Sequence, residues 1–283
     1  MIIVTGASGF LGQHVMWRLT QPAVRDDRLR HAGPGDVVVH LAAVCGGIGF
    51  NKQRNVDMMA ENLRIGLDAF DRHRNARRHV YVSTTCMYPQ ICRTPFVEAD
   101  IWQGRPEYTN APYGIAKRAI SDLFLVLDPL RNAVLVPANL YGPGDHYEPE
   151  RSHVIPALIA KMVAAKDDGV PALKLDGSGG ATRDFLYVED CADAVASVLS
   201  RPDDCGYFNV GTGVETTIHE LAHMIAEIIG YRGELYWSGP ERDGQPRRVL
   251  NAHRARCHWR WEPKVDLRTG LERTVEDYLC RRH

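Results

Sequence analysis

The chain opens with the stretch that decides its fold, Met1-Ile2-Ile3-Val4-Thr5-Gly6-Ala7-Ser8-Gly9-Phe10-Leu11-Gly12. The apolar start predicts a buried strand, and the three glycines at GxxGxxG spacing predict a tight turn into a helix. In such a turn Gly6 permits the bend, Gly9 lets the backbone approach a pyrophosphate, and Gly12 lets the helix pack close to the strand. The helix N-terminus would then face the phosphates. The opening therefore predicts a dinucleotide-binding strand–turn–helix unit.

Beyond this unit, short apolar runs alternate with helical patterns, which is typical of a parallel sheet covered on both faces. Predicted strands are Met1–Thr5, Val37–Leu41, His79–Ser83, Ala133–Ala138 and Tyr207–Val210. Predicted helices are Gly12–Leu19, Val56–His73, Tyr113–Leu127, Ser152–Lys166, Cys191–Leu199 and Ile218–Ile229, the last being the one clear helix after residue 213. The predicted fold class is α/β, a Rossmann-type doubly wound parallel sheet with a smaller, interleaved C-terminal substrate lobe. We assign 1–146 and about 184–212 to the dinucleotide-binding core, and about 147–183 and 213–283 to the lobe.

Composition and charge exclude several classes of protein. Apolar residues make up 45% and charged residues 24% of the chain, which is ordinary for a globular protein and rules out intrinsic disorder. The 34 basic and 35 acidic residues give a net charge of -1, so neither nucleic acid nor an anionic membrane is an expected partner. The cysteines show no CxxC spacing, which indicates reduced thiols, and no apolar run is long enough to span a bilayer. We expect a cytoplasmic protein.

Two pairs of residues carry candidate chemistry. Tyr113 and Lys117 form a YxxxK pair, which places both side chains on one helix face. An ammonium beside a tyrosine hydroxyl lowers the pKa of that hydroxyl, so Tyr113 is a predicted general acid/base. Thr84 and Cys86 stand two residues apart at the end of a predicted strand, where open α/β sheets bind ligands. For Cys86 the alternative is a small buried apolar residue.

The residue that would bind the adenosine ribose is ambiguous. An acidic residue is expected about 20 positions after the glycines. Asp26 or Asp27 could bind a ribose 2′-hydroxyl, and Arg25 or Arg28 could bind a 2′-phosphate. These residues by themselves leave NAD and NADP both open.

Together the motifs resemble the extended short-chain dehydrogenase/reductase superfamily, and within it the GDP-L-fucose synthases, which epimerise and reduce a GDP-linked 4-keto-6-deoxy sugar. The resemblance runs from residue 1 to about residue 279. Its most specific stretches are Ser83–Pro89 and Ser152-His-Val-Ile-Pro-Ala-Leu158, which are not general superfamily features. Further stretches are His40–Ile48, Asn139–Asp145, Gly177–Gly179, Arg183–Asp190, Asn209–Gly213 and Asp243–Arg248.

The resemblance implies a role for each matching position. Thr84, Tyr113 and Lys117 would serve the carbonyl chemistry, and Cys86 and His153 would be the base and acid of epimerisation. Cofactor contacts would come from Gly6, Ser8, Gly9, Phe10, Leu11, Gly12, Leu41, Ala42, Ala43, Lys117, Asn139 and Leu140. Substrate contacts would come from Asn139, His153, Lys161, Arg183 and Arg248, with Arg248 the weaker candidate for the diphosphate. The implied cofactor is NADP, with NAD the alternative, the implied partner is a nucleotide-diphosphate sugar, and no metal is implied.

The family pattern also implies a homodimer, to which helices Val56–His73 and Tyr113–Leu127 are suited. The chain departs from that pattern in three places. The segment between Gly12 and Val37 is too short for the usual second and third strands with their helices. Lys161 stands where the family usually has arginine, and Asp176 stands where some members have tryptophan.

Other functions compete with an epimerase/reductase. A 4-ketoreductase or 4-epimerase without 3,5-epimerisation would not need Cys86 and His153, and a non-catalytic nucleotide sensor would not need the Tyr/Lys pair. The stretch His219-Glu220-Leu221-Ala222-His223 matches a zinc-hydrolase motif. The third ligand of the longer zinc pattern is missing from the sequence, so we expect an ordinary helix there.

Overall fold

A parallel β-sheet forms the centre of the computed structural model, which describes residues 1–26, 30–47, 50, 54–149, 151–240 and 244–282. Four residues named above, Asp27, Arg28, Ile48 and Asp243, lie outside these ranges. The strands are β1 (Ile2–Thr5), β2 (Ala23–Arg25), β3 (Val37–His40), β4 (Arg78–Val82), β5 (Ala133–Pro137), β6 (Asn139–Tyr141), β7 (Ala172–Leu175), β8 (Thr182–Arg183), β9 (Phe185–Tyr187), β10 (Gly206–Val210), β11 (Thr216–Thr217), β12 (Glu234–Trp237) and β13 (Arg247–Arg248). The helices are α1 (Phe10–Arg18), α2 (Asn55–His73), α3 (Ala111–Leu127), α4 (Val154–Asp167), α5 (Val188–Leu199), α6 (Ile218–Ile229), α7 (His253–Trp259) and α8 (Leu267–Arg282).

The main sheet has six strands in the order β2-β1-β3-β4-β5-β10, and every neighbouring pair is parallel. All residues of β1, β3, β4 and β5 are buried, as expected for strands covered on both faces. Helix α1 packs against α5, and α2 packs against α3. The predicted α/β fold is therefore confirmed. All five predicted strands lie in this sheet, and all six predicted helices are present.

The short segment between α1 and β3 supplies one edge strand, β2, which pairs with β1. In the described part of the connection that follows, residues 26 and 30–36, there is no helix and no further strand. Ala32 from this connection packs with Ile3 and Val38, so a loop covers the face of the sheet here. As the short segment predicts, a single three-residue strand, β2, forms the sheet edge beside the glycine turn.

Besides the small Ile3, Ala32 and Val38 cluster, two larger apolar clusters stabilise the described part of the chain. The larger one surrounds the main sheet, and the second joins α4, α6 and α8 with residues of β7 and β9. The division into core and lobe stays a prediction. One stretch that it assigns to the lobe packs against the core instead. Five residues that the sequence pattern assigns to the lobe pack with the larger cluster: Leu250, Ala252, Ala255, Trp259 and Trp261.

The expectation of a single clear helix after residue 213 is wrong, because α7 and α8 follow α6. Helix α8 buries only Gly270, Leu271, Thr274 and Val275. Such a short apolar stripe among charged residues gives a weak helical periodicity. Helix α7 spans 7 residues, which is too short to show a repeating pattern.

Gly12→Ala should destabilise this fold, because an added Cβ would lie 2.1 Å from the carbonyl oxygen of Gly6 and 2.8 Å from the Cα of Ala7. Backbone atoms yield less readily than side chains, so we expect a loss of about 1–3 kcal/mol in the free energy of unfolding. Gly35→Ala is the matched control, because nothing lies within 4 Å of its Cβ position. Urea unfolding followed by circular dichroism measures both variants, and equal midpoints would contradict the prediction.

Candidate active site

The glycine turn lies between β1 and α1. Gly6 has a φ of 68°, a left-handed conformation that glycine adopts without strain. Gly9 is the N-cap of α1, and both Ser8 and Gly9 are exposed. The first turn of a helix leaves backbone N–H groups without intrahelical partners, here at Phe10–Gly12, and such a turn attracts anions. The residues present therefore fit the pyrophosphate of a dinucleotide.

The Leu41–Ala43 segment runs beside this turn. A Cβ on Gly6 would lie 2.7 Å from the backbone nitrogen of Ala42, and the Thr5 hydroxyl accepts a hydrogen bond from that nitrogen at 3.4 Å. The same hydroxyl lies 2.7 Å from Nδ1 of His40. Burial lowers the pKa of His40 well below its usual value, so the imidazole is neutral. These contacts fix the end of β3 against the glycine turn.

Of the residues considered for the adenosine ribose, Asp27 and Arg28 lie outside the described ranges. The Asp26 side chain is 3% exposed and accepts a hydrogen bond from Arg72 of α2 at 2.6 Å. This carboxylate is therefore used inside the fold, and Asp26 does not suit a ribose hydroxyl. Arg25, at the end of β2, is exposed and remains a candidate for contact with a 2′-phosphate.

Thr84 and Tyr113 meet where β4 ends. The Thr84 hydroxyl accepts a hydrogen bond from the backbone nitrogen of Cys86 at 3.2 Å, which caps a short 3-10 helix. Tyr113 lies in the first turn of α3, close enough to Thr84 for that side chain to act on the pKa of its hydroxyl. A Cβ on the next residue, Gly114, would lie 2.2 Å from the carbonyl oxygen of Cys86. The close approach of α3 to this turn therefore depends on glycine.

Lys117 is anchored below Tyr113 on the same helix. Its side chain is buried, its Nζ donates to the Val82 carbonyl oxygen at 2.8 Å, and Nζ lies 4.2 Å from the centroid of the Tyr81 ring. Burial lowers the pKa of Lys117 to about 7 and raises the pKa of Tyr113 well above its usual value. The Tyr113 pKa is therefore raised, not lowered as expected, because the loss of solvation dominates.

Cys86 faces a cation. Its sulfur lies 3.5 Å from Nη1 of Arg248, a buried residue of β13. The Nε of Arg248 donates to the side-chain oxygen of Gln245 at 3.4 Å. The Gln245 amide nitrogen in turn donates to the carbonyl oxygens of Pro89 and Gln90. The chain segment that carries Arg248 is thereby clamped onto the loop that follows Cys86.

Two further residues of the site, Cys45 and Asp145, lie in the family-like stretches His40–Ile48 and Asn139–Asp145 but were not predicted as site residues. The Cys45 side chain is exposed, yet it is surrounded by enough protein for burial to raise its pKa, and Asp145 raises it further. Cys45 therefore lies in a concave part of the surface, within electrostatic reach of Lys117 and Tyr113. A lone cysteine has no spacing signal. The one sequence signal for Cys45 is therefore its place in the family-like stretch His40–Ile48.

Asp145 ends the family-like stretch Asn139–Asp145, which was the one available signal for it. Its side chain is buried, and one carboxylate oxygen accepts a hydrogen bond from the backbone nitrogen of His146 at 2.8 Å. The other oxygen has no hydrogen-bond partner among the described residues. Burial raises the pKa of Asp145 to about 7. The site thus contains a carboxyl group that titrates near neutral pH.

His153 is the N-cap residue of α4. It is exposed by surface area, yet burial lowers its pKa, which again indicates a concave position. The residues before it touch the Cys45 segment, because the backbone nitrogen of Gly47 donates to the carbonyl oxygen of Arg151 at 3.2 Å. Among the described residues, no hydrogen bond joins the His153 imidazole to Cys86 or Tyr113. The structure therefore brings His153 to the edge of the site without linking it directly to the other candidates.

The remaining predicted substrate contacts are partly used inside the fold. Nη1 of Arg183 donates to the carbonyl oxygens of Thr182 and Gln245, both at 2.7 Å. The Asn139 amide, in β6 beside Leu140, donates to the carbonyl oxygen of Asp184 at 3.0 Å. These side chains are thus held in fixed positions at the junction of β6, β8 and β9.

Lys161 and Asp176, the two positions that depart from the family pattern, form an ion pair with an N···O distance of 3.2 Å. Both side chains are about half exposed, so the pair adds little to stability. The two departures therefore compensate each other in charge.

The zinc-hydrolase match is explained by the start of α6. Thr217 is the N-cap, its hydroxyl accepts a hydrogen bond from the Glu220 backbone nitrogen, and the Glu220 carboxylate accepts one from the Thr217 nitrogen. The glutamate of the motif is thus part of a capping box. In the part of the chain that the structure describes, no third ligand joins His219 and His223.

Comparisons with known proteins agree with this arrangement. The NAD dependent epimerase/dehydratase family profile matches residues 18–211. GDP-L-fucose synthase of Escherichia coli K12 is 34% identical over 260 residues, which are 86% of this chain and 80% of that protein. Probable GDP-L-fucose synthase 1 of Oryza sativa subsp. japonica is 34% identical over 248 residues, which are 86% of this chain and 75% of that protein. A solved GDP-L-fucose synthetase from Naegleria fowleri, bound to NADP, has a TM-score of 0.85 at 22% identity and covers 99% of this chain and 93% of its own.

Lys117→Met should stabilise the protein in a pH-dependent way. Burial lowers the pKa of Lys117 from 10.5 to about 7, so the native state disfavours the ammonium. The resulting destabilisation is full below pH 7 and vanishes as the pH rises towards 10.5, because the unfolded chain keeps its proton over that range. We expect the Tm at pH 6.5 to rise by at least about 2 °C and the gain to shrink at pH 9.5.

Differential scanning calorimetry at the two pH values measures this effect. Lys174→Met is the matched control, because Lys174 is exposed on β7 and should show no such gain. A change in Tm that is the same at both pH values would contradict the assignment of a buried, destabilised ammonium.

Proposed function

This chain belongs to the NAD dependent epimerase/dehydratase family, and we propose that it is an NADPH-dependent epimerase/reductase of a GDP-linked 4-keto-6-deoxy hexose. The observation that carries the proposal is the meeting of Thr84, Tyr113 and Cys86 at one end of β4. Two hydroxyl groups suffice for reduction of a ketone, whereas a thiol is needed only if a carbon beside that ketone is deprotonated. The names of the relatives that are 34% identical support a GDP-linked sugar as the substrate.

NADPH is the proposed cofactor, and it supplies the hydride that reduces the C4 ketone. The glycine turn fits its pyrophosphate, and Lys117 would hold its ribose. Arg25 is exposed at the end of β2, and the Asp26 carboxylate is paired with Arg72, so Asp26 would not repel a 2′-phosphate. The Naegleria fowleri relative is bound to NADP, which also supports this choice.

Tyr113 donates the proton that the C4 oxygen requires on reduction. Because burial raises the pKa of Tyr113, its hydroxyl is protonated at neutral pH and available as a donor. Thr84 accepts a hydrogen bond from the Cys86 nitrogen and acts on the pKa of Tyr113, so the two hydroxyl groups would both lie near the ketone. The hydrogen bond from Lys117 to the Val82 carbonyl oxygen fixes the position of α3, and with it Tyr113, relative to β4.

Cys86 and His153 carry the proposed epimerisation. The ketone acidifies the protons on its neighbouring carbons, and Cys86 removes one of them as the C–H electron pair moves into an enolate. Thr84 and Tyr113 stabilise the enolate oxygen by hydrogen bonding. His153 then delivers a proton to the opposite face, which inverts the carbon. Burial lowers the pKa of His153, so its imidazole must take up a proton from solvent before this step.

A reductase or 4-epimerase without 3,5-epimerisation is the second candidate. It would need Thr84, Tyr113 and Lys117 but neither Cys86 nor His153. The observation that favours it is the separation of His153 from the other candidates, since no hydrogen bond within the described structure links its imidazole to Cys86 or Tyr113. A non-catalytic nucleotide sensor would not require Tyr113 and Lys117, which are both buried on the same helix.

We also propose a homodimer formed through α2 and α3 and a cytoplasmic location. These helices pack together and carry Val56, Leu67 and Val126, which are 82%, 48% and 79% exposed. Apolar side chains so exposed suit an interface. In the described part of the chain, no helix has both the length and the apolar character to cross a bilayer. The cysteines that the structure shows as free thiols fit a reducing compartment.

Tyr113→Phe should lower the rate of reduction by about 100- to 10,000-fold, because general acid catalysis contributes that much. The affinity for NADPH should change little, since the hydroxyl supplies a proton and the ring remains. NADPH oxidation measures the rate, and quenching of tryptophan fluorescence measures binding. Tyr108→Phe is the control, because Tyr108 is 69% exposed. A Tyr113→Phe enzyme with more than a tenth of the wild-type rate would overturn the assignment.

Cys86→Ser separates epimerisation from reduction. In deuterated water the wild-type product should carry solvent deuterium on the carbons beside C4, whereas the variant should lose this label and still transfer hydride. NMR of the product measures both, and Cys257→Ser, at an exposed thiol, should behave as wild type. A wild-type product that is reduced but unlabelled would exclude epimerisation and favour the second candidate.

A further inference from the structure

The guanidinium of Arg248 is buried, and no acidic residue that the structure describes forms an ion pair with it. The residue is 7% exposed, and its side chain donates to the Gln245 oxygen and to the Cys86 sulfur. A buried cation is destabilising when no counter-charge replaces its lost hydration, and none of the described residues supplies one here. The position therefore calls for an anion near Nη1.

The neighbouring residue on the same strand shows the ordinary arrangement. Arg247 is 57% exposed and pairs with the Glu215 carboxylate at 2.7 Å. Arg247 and Arg248 thus differ in both burial and partner, although they are adjacent in β13. This contrast makes Arg247 a matched control for any test of Arg248.

The atom that Nη1 faces is the Cys86 sulfur, at 3.5 Å. A thiol is a weak hydrogen-bond acceptor, whereas a thiolate is a full negative charge and a strong one. Cysteines beside arginine are accordingly held more readily as thiolates. The Gln245 contacts to the loop after Cys86 keep the two side chains together from both sides.

We propose that Arg248 is a positioning residue that stabilises the Cys86 thiolate. This inference rests on the proposed epimerisation, but the thiolate itself can be tested without any substrate. It assigns Arg248 to the thiol, whereas the family resemblance implied contact with the substrate diphosphate.

The test is alkylation of the purified protein by iodoacetamide at pH 7, with each cysteine followed separately by peptide mass spectrometry. The thiolate attacks the CH₂ carbon, an S–C bond forms and iodide leaves, so the rate at Cys86 reports its thiolate. Arg248→Gln should slow alkylation of Cys86 by at least about ten-fold, the lower end for loss of a hydrogen bond to a charged group. Arg248→Lys should recover most of the rate, and Arg247→Gln should match wild type.

Two other cysteines control for the fold and the reagent. Cys257 is exposed and should react equally in every variant, and Cys191 is buried and should stay unmodified. Arg248→Met is made alongside, because an apolar side chain is accepted more readily at a buried position. An unreactive Cys191 shows that a variant is folded. The alkylation rate of Cys86 is therefore judged in Arg248→Gln or Arg248→Met, whichever leaves Cys191 unmodified.

The outcomes separate this inference from the proposed function. Slower alkylation of Cys86 in the neutral variant supports the thiolate, even if the wild-type enzyme incorporates no solvent deuterium and the epimerase function fails. An unchanged alkylation rate overturns the inference. If such a variant also shows a raised KM for the GDP-sugar at normal kcat, Arg248 binds the diphosphate instead.

Discussion

The hydrogen bond from the Lys117 ammonium to the Val82 carbonyl oxygen ties α3 to the end of β4, and the candidate site depends on it. Tyr113 lies one helical turn before Lys117, so this anchor sets the position of its hydroxyl beside Thr84. A hydrogen bond of 2.9 Å from Ser121 to Ser83 continues the same seam one turn further along. The amine of Lys117 is buried, and burial lowers its pKa to about 7. The Lys117–Val82 hydrogen bond therefore positions Tyr113 at a cost in protein stability.

A second constraint fixes the other side of the site. The buried Asp184 carboxylate accepts hydrogen bonds from Thr212, Gly213 and Leu250. Its backbone accepts from Asn139 and donates to the carbonyl oxygen of Arg248. One residue therefore holds together β6, the loop after β10 and β13. Asp184 fixes the backbone of Arg248, and this places the guanidinium within reach of the Cys86 sulfur.

Local spacing predicted the parts of the fold and site that depend on local sequence. Strands such as Val37–His40 are continuous apolar runs, and YxxxK follows from the helical repeat. Strand β2 was missed because Ala23–Arg25 is short, lies at the sheet edge and is partly exposed. The Asp26–Arg72 pair, the Cys45 environment and the Arg248–Cys86 contact join residues far apart in sequence, so only the fold brings them together. Burial also could not be predicted for Tyr113, and burial reverses the expected direction of its pKa shift.

The central claim is that epimerisation and reduction take place at one site on one sugar. The direct measurement is proton NMR of the product formed from GDP-4-keto-6-deoxy-mannose and NADPH by the purified protein. We predict a sugar inverted at C3 and C5 and reduced at C4, with NADPH consumed in equal amount. A product reduced at C4 with C3 and C5 unchanged, or an absence of NADPH oxidation, would contradict the claim.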